Sequence, residues 1–461
     1  MKNIQSELQK ENPMGHAPIG KTLAKFAIPT VISNLVTSVY NLTDQIFIGQ
    51  GVGMLGNAAT NVAFPIHVIC MAVSLMIGIG GAINFNLAMG RGDKERATKV
   101  VGSTFSCLVI SGLVIFAGVK LFLNPLMVLF GATAEIMDYA ITYVSITNIG
   151  IPFLMMTLGG SHMVRSDGKP MYSMIAVGTG AVINIILDPL FIFVFQWGIK
   201  GAAFATVISQ VISAVLIVGY LPRYQSVKLS LNNFVPKFSY VKDIASLGAA
   251  AFISQISIFA VQIVMNNTLK YYGALSIYGS EIPLAAMGII SKISMIVASV
   301  VFGIAQGGQP IIGFNYGAKK YNRVRKTYRY VLISATAFAF IAFACFQLFP
   351  ETIIGWFGTT DYVLYHDFAI RLLRVYMMFV FLTGCTSVTS NFFTGIGKPV
   401  KGTILSLARQ VIFSLPLILL LPGFFGIDGF VYAGPIGDLC AFLFAAVMVI
   451  HEFRNMPKDS Q

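Results

Sequence analysis

Charge is what this chain of 461 residues has least of. Only 11% of its residues are Asp, Glu, Lys or Arg, while 56% are hydrophobic, and the mean hydropathy is +0.78. A soluble protein of this length could not cover its surface with so few charges, so a soluble fold is excluded. Alternating ten-residue strands are also missing, which excludes a transmembrane β-barrel. The five cysteines (Cys70, Cys107, Cys345, Cys385 and Cys440) are scattered through apolar runs. Their spacing suits neither a disulfide framework nor a metal site, and they read as small packing groups. No Gly-x-x-x-x-Gly-Lys-Ser/Thr stretch occurs, since GIGKP from Gly395 has Pro after the Lys, and this disfavours an ATP-driven pump. Nothing pairs a nucleophile with a base, so an enzyme is not expected. No cleavable signal peptide is legible: residues 1–20 are polar, with Pro13 and Pro18, and read as a loose cytoplasmic tail.

Apolar runs of about 20 residues recur along the chain, each long enough to cross ~30 Å of hydrocarbon as a helix. Twelve spans are expected, near 22–48, 61–89, 100–123, 137–161, 170–195, 201–221, 243–269, 283–315, 326–349, 366–392, 400–421 and 428–452. The net charge of +13 (31 Lys+Arg minus 18 Asp+Glu) could suggest nucleic acid, but its distribution decides otherwise. With both termini inside, 24 of the 31 basic residues fall on the inner side, from Lys2, Lys10, Lys21 and Lys25 to Arg454 and Lys458. This is the positive-inside pattern. It places a multi-pass chain in the cell (inner or plasma) membrane with cytoplasmic termini and with the lipid bilayer, not nucleic acid, as its partner.

The chain is written twice. GIGGAINFNLAMGRGDKERATK from Gly78 matches AQGGQPIIGFNYGAKKYNRVRK from Ala305, with glycines at a constant shift of 227. DYAITYV at Asp138 matches DFAIRLL at Asp367, SDGKP at Ser166 matches GIGKP at Gly395, and GIKGAAFATVIS at Gly198 matches GIDGFVYAGPIG at Gly426. ISNL at Ile32 matches ISQI at Ile253 with the smaller shift of 221. An N-lobe (22–221) and a C-lobe (243–452) of six helices each are expected, between tails 1–21 and 453–461 and around a linker at 222–242. Six is even, so the lobes are parallel repeats, an arrangement that builds a central cavity and supports alternating access.

Fifteen of the eighteen acids lie in tails, loops or helix ends; Asp44, Asp188 and Asp438 lie inside spans. Each buried carboxylate costs roughly 2.5–3.5 kcal/mol even on a lenient scale, so each needs a partner, a cavity or a proton. Counting 1.5 Å per residue puts Asp44 ~33 Å along the first span, Asp188 ~27 Å along the fifth and Thr206 ~8 Å into the sixth from the outer side. Asn184 is one turn inward of Asp188 on the same face. Asp44, Asn184, Asp188 and Thr206 thus share one layer of hard oxygen ligands, suited to H⁺ or Na⁺, with Pro189 able to free a carbonyl beside them. Met265 and Leu417 occupy the C-lobe positions matching the two acids. Beyond that layer, no metal or cofactor is expected. Arg409 and Asp438 read as a structural ion pair between helices eleven and twelve. Tyr40, Met71, Met265 and Phe302 are candidates for a substrate cavity lined by adaptable side chains.

FAIPTVISNLVTSVYNLTDQIFIG from Phe26, the paired GKP turns and the GIKG and GIDG blocks resemble the MATE multidrug-and-toxin extrusion family, in particular its MepA-like and DinF-related branch. The resemblance covers residues 22–452. It implies an all-α, V-shaped exporter of twelve helices that uses an H⁺ or Na⁺ gradient to expel amphipathic, often cationic, drugs and toxins, with a monomer as the expected unit. In that branch the acids on helices one and five, the Asn one turn before the latter and the helix-six Thr serve the coupling cation, which here are Asp44, Asp188, Asn184 and Thr206. Members often carry an Asn near the end of helix four, where this chain has Ser161. The acids of the NorM-type branch on helices seven and ten have no counterpart here. A lipid or lipid-linked saccharide flippase of the same superfamily is the alternative, for which Lys292, Arg371 and Arg374 would supply basic groups.

Overall fold

The computed structural model describes residues 13–356 and 363–457. Lys2, Lys10 and Lys458, counted above in the basic bias, lie outside those residues. Among the described residues there are helices and no strands. Eleven helices are long and apolar enough to cross a bilayer, and two shorter ones bent by 46° at a short break make a twelfth span. We number the spans α1 (Ile19–Gly51), α2 (Met54–Arg91), α3 (Lys94–Leu121), α4 (Ala134–Ser166), α5 (Pro170–Val194) and α6 (Ile199–Gly219). The second half supplies α7 (Phe238–Ala274), α8 (Glu281–Gly317), α9 (Tyr321–Leu348), α10 (Val363–Tyr376 with Val380–Gly395), α11 (Pro399–Phe425) and α12 (Ile427–Asn455). All twelve expected spans are present, in the expected order.

The repeated sequence blocks have repeated local reasons. In SDGKP and GIGKP, Gly168 (φ +87°) and Gly397 (φ +77°) take the left-handed conformation that ends a helix. Pro170 and Pro399 then open α5 and α11, where the missing N–H costs nothing. Each helix also widens into a π-turn, but at different places: α5 at Leu190–Val194, near its end, and α11 at Ala408–Ser414, near its middle.

The chain forms two compact units. One holds residues 13–16 and 28–252, the other residues 17–27 and 253–457. The division therefore falls inside α1 and inside α7, and the stretch 222–242 belongs to the first unit. It does so through its backbone: Ser106 Oγ donates to the Phe234 carbonyl at 2.5 Å, and Gly102 leaves room for the Asn233 carbonyl. The ends are more ordered than a reading by polarity suggests. Met14 and Gly15 are buried and α1 begins at Ile19, while Arg325 Nη2 holds the Met456 carbonyl at 2.7 Å just past α12.

Each unit carries a close helix crossing. In the first, Gly80 of α2 and Gly248 of α7 meet backbone to backbone, so a methyl at either would overlap Ile244 O or Met76 O. Arg96 at the start of α3 braces this crossing, with Nη2 2.7 Å from Asp243 Oδ2 and Nε donating to Asn84 Oδ1 at 3.3 Å. In the second unit, a methyl at Gly307 of α8 would lie 2.5 Å from Ala27 Cα of α1. Arg323, at the position matching Arg96, donates there to the Ala17 carbonyl.

Exposed positions allow the orientation to be tested. The basic bias predicts that cysteines at Met54, Thr133 and Ile277 react with an impermeant thiol reagent applied to intact cells, and that one at Lys94 does not. Labelling of the Lys94 site from outside would overturn the orientation.

Candidate functional site

The site is built on α4, α5, α6 and the part of α1 from residue 28 onward, all within the first unit. One turn of α1 separates Tyr40 from Asp44, and one turn of α5 separates Asn184 from Asp188, so each pair shares a helix face. Gly180 keeps that α5 face close to α6, since a methyl there would overlap Ser213 Oγ. Pro189 brings no N–H to the helix ladder, and the turn after Asp188 is the π-turn noted above.

Asp188 is 0% exposed, Asn184 1% and Asp44 9%. Asn184 Nδ2 donates to Asp188 Oδ1 at 3.3 Å. The carboxyls of Asp44 and Asp188 lie next to each other. Two ionised carboxylates this close in a dry layer repel, and a proton or a cation beside them would relieve that charge. Asp44 Oδ1, Asp188 Oδ2 and Asn184 Oδ1 are buried without a hydrogen-bond partner among the described residues. Three such oxygens in one layer, two of them from acids, form the donor set of a small hard cation.

Asp44, Asn184 and Asp188 are thus together, as expected. Thr206, half-buried on α6, joins through a residue the sequence reading missed: it lies beside Tyr143 on α4. Tyr143 also lies beside both aspartates and Tyr40. A signal for it was available. Tyr143 sits in the repeated DYAITYV block, where the second copy has Leu372, the same polar-for-apolar asymmetry that distinguishes Asp44 from Met265. Ser161 is elsewhere: its carbonyl accepts from Ser173 Oγ at 3.1 Å, and Ser173 lies eleven residues, or ~16 Å, before Asn184 on α5.

The expected cavity residues do not form one group. Tyr40 stands beside Asp44 and Asp188, in the acidic layer. Met71 and Phe302 are half-buried, one in each unit. Met265 is buried in the second unit, its Sδ 3.9 Å from the Tyr376 hydroxyl. In that unit Arg409 Nε lies 3.0 Å from Asp438 Oδ1. Arg371 Nη1 is paired with Asp428 Oδ1 at 2.9 Å, whereas Lys292 is exposed and has no ion-pair partner among the described residues.

The link between Tyr143 and Thr206 should be measurable as a coupling. Tyr143→Phe and Thr206→Val should each lower the thermal midpoint of the purified protein by the equivalent of about 0.5–1 kcal/mol. The double variant should lose no more than the larger single loss. Additive losses would show that the two hydroxyls act separately.

With this geometry in place, comparison with known proteins is informative. The MatE family model matches residues 29–190 and 250–420. Multidrug export protein MepA of Staphylococcus haemolyticus is 24% identical over 439 residues, covering 95% of this chain and 94% of that protein. MepA of Staphylococcus aureus is likewise 24% identical, over 441 residues and 95% of each chain. A multidrug resistance MATE family transporter of the MOP superfamily, solved in an outward-facing conformation, superposes with a TM-score of 0.89 at 25% identity over 98% of each chain. A MOP superfamily transporter from Pyrococcus furiosus, described as having a binding pocket of reverse polarity, gives the same TM-score, identity and coverage.

Proposed function

The chain belongs to the MatE family, and from that premise we propose that it is a secondary active multidrug exporter in which H⁺ or Na⁺ drives the antiport of amphipathic, cationic compounds. The observation that carries the proposal is the buried layer of Asp44, Asn184 and Asp188, with three oxygens lacking a hydrogen-bond partner among the described residues. Without a counterion the carboxylates repel in a poorly solvated site, and with one the layer is neutral. The two states therefore favour different packing of α1, α5 and α6, and cation occupancy becomes a conformational bias. A cationic substrate held near the same acids would compete with the coupling ion for their charge. That competition is a linkage between two ligands, and it suffices to exchange one for the other as the protein alternates in access.

Each member of the layer has a separate task in this scheme. Asp44 and Asp188 take the charge, Asn184 orients Asp188 through its amide, and the hydroxyls of Tyr143 and Thr206 offer neutral oxygens that suit Na⁺ more than H⁺. The flippase reading finds its support in Lys292, an exposed cation on a membrane-spanning helix that would attract an anionic head group.

Everted vesicles separate these ideas when a pH gradient and a Na⁺ gradient are applied one at a time. Asp44→Asn and Asp188→Asn should insert at wild-type levels and lose at least about tenfold in gradient-driven efflux of a cationic dye, because a fixed neutral amide cannot cycle. Thr206→Ala should weaken efflux driven by Na⁺ and leave efflux driven by H⁺ nearly intact. Wild-type efflux in both Asn variants, at matched expression, would return the aspartates to a purely structural role.

A further inference from the structure

The second unit contains a polar cluster with unspent donors. Arg409 lies at the start of the π-turn of α11, ten residues from the helix start at Pro399, and Asp438 lies eleven residues into α12. At 1.5 Å per residue both are ~15 Å from a helix end, at the depth of the hydrocarbon. Their contact is narrow. Arg409 donates only through Nε to Asp438 Oδ1, and both terminal amino groups have no hydrogen-bond partner among the described residues. A guanidinium serving only as a brace would be expected to use its fork on both carboxylate oxygens. The Arg409 side chain is also 31% exposed, against 12% for Asp438. Exposure of a guanidinium to lipid at this depth is costly, so its accessible edge calls for a polar partner.

Tyr376 is fixed beside this pair. Its ring stacks on Phe430 at 5.8 Å with an interplanar angle of 8°, and Gly434 makes room for it, since a methyl there would lie 2.7 Å from the ring. Its hydroxyl touches only the Met265 thioether at 3.9 Å, a weak acceptor, and the helix α10 breaks immediately after it. The Arg409–Asp438 pair and the Tyr376 phenol are therefore neighbours, with Met265 and Phe430 against the tyrosine.

We propose that Arg409 and Tyr376 form a subsite for the carboxylate of zwitterionic amphiphiles, with Asp438 positioning the guanidinium. The inference deepens the export reading and rests on it: the acidic layer of the first unit takes positive charge, and this subsite adds recognition of a negative group. Asp438 spends one oxygen on Nε and leaves the two terminal amino groups without a partner among the described residues. Such amino groups form the bidentate fork on which carboxylates are recognised.

The test uses rhodamine B, which carries a free carboxylate, and its ethyl ester, which does not, with affinities for the purified full-length protein read by fluorescence anisotropy. The quantity of interest is the ratio of the two affinities, which cancels any loss common to both ligands. The wild type should favour the acid over the ester, and Arg409→Lys, which keeps a cation for Asp438 but loses the fork, should reduce that preference about tenfold. Tyr376→Phe should reduce it by a smaller factor. The double variant Arg409→Gln with Asp438→Asn removes both charges, leaves no unpaired acid, and should abolish the preference. An unchanged ratio in these variants, or equal wild-type binding of acid and ester, would overturn the subsite and leave the export reading standing. Failure of the wild type to bind either ligand or a simple lipophilic cation would overturn the export reading and this inference with it.

Discussion

Two carboxylates in one dry layer are the constraint around which the first unit is arranged. Neither Asp44 nor Asp188 has a basic residue to neutralise it, and each keeps a buried oxygen without a hydrogen-bond partner among the described residues. In most membrane proteins a buried acid is balanced by a fixed cation, as Asp438 is by Arg409. Here the layer has no fixed cation among the described residues. The surrounding features are an amide that bonds one acid, two tyrosines beside both acids, and a proline that marks the end of the regular α-helix beside the site.

The two halves share a frame and differ in chemistry. Glycine turns before Pro170 and Pro399 and bracing arginines at Arg96 and Arg323 recur in both. Where the first half has Asp44 and Tyr143, the second has Met265 and Leu372, and its own polar cluster sits on α10, α11 and α12. Duplication supplies the common frame, and divergence then assigns different charge to equivalent places.

Much of this was legible in sequence because membrane burial writes itself in composition. Spans follow from long apolar runs, and an Asp inside one is conspicuous, so the twelve helices and Asp44, Asn184 and Asp188 could be placed without coordinates. What escaped has physical reasons. Tyr143 is amphipathic and ordinary in a membrane helix, and only its distance to Thr206 and the acids gives it a role. Tyr40 was assigned to a cavity on composition, whereas the turn it shares with Asp44 ties it to the layer. The stretch 222–242 looks like a linker because it is polar, yet it is held through backbone atoms at Gly102 and Ser106, which no side-chain pattern reports. The bend of α10 has no proline or repeat mismatch at its break to announce it.

The backbone crossings have a consequence for how the chain is made. Residues 17–27 leave the ribosome among the first, but the glycine they pack against, Gly307, is 280 positions after Ala27. At ordinary elongation rates of about 5–20 residues per second, that partner arrives roughly 15–60 s later. The first unit waits as well, since α2 is complete at Arg91 while Gly248 is still untranslated. Insertion of the helices can run in order from the N-terminus; assembly cannot. The start of α1 must remain uncommitted during most of synthesis, because its partner in the second unit is made only after about two-thirds of the chain.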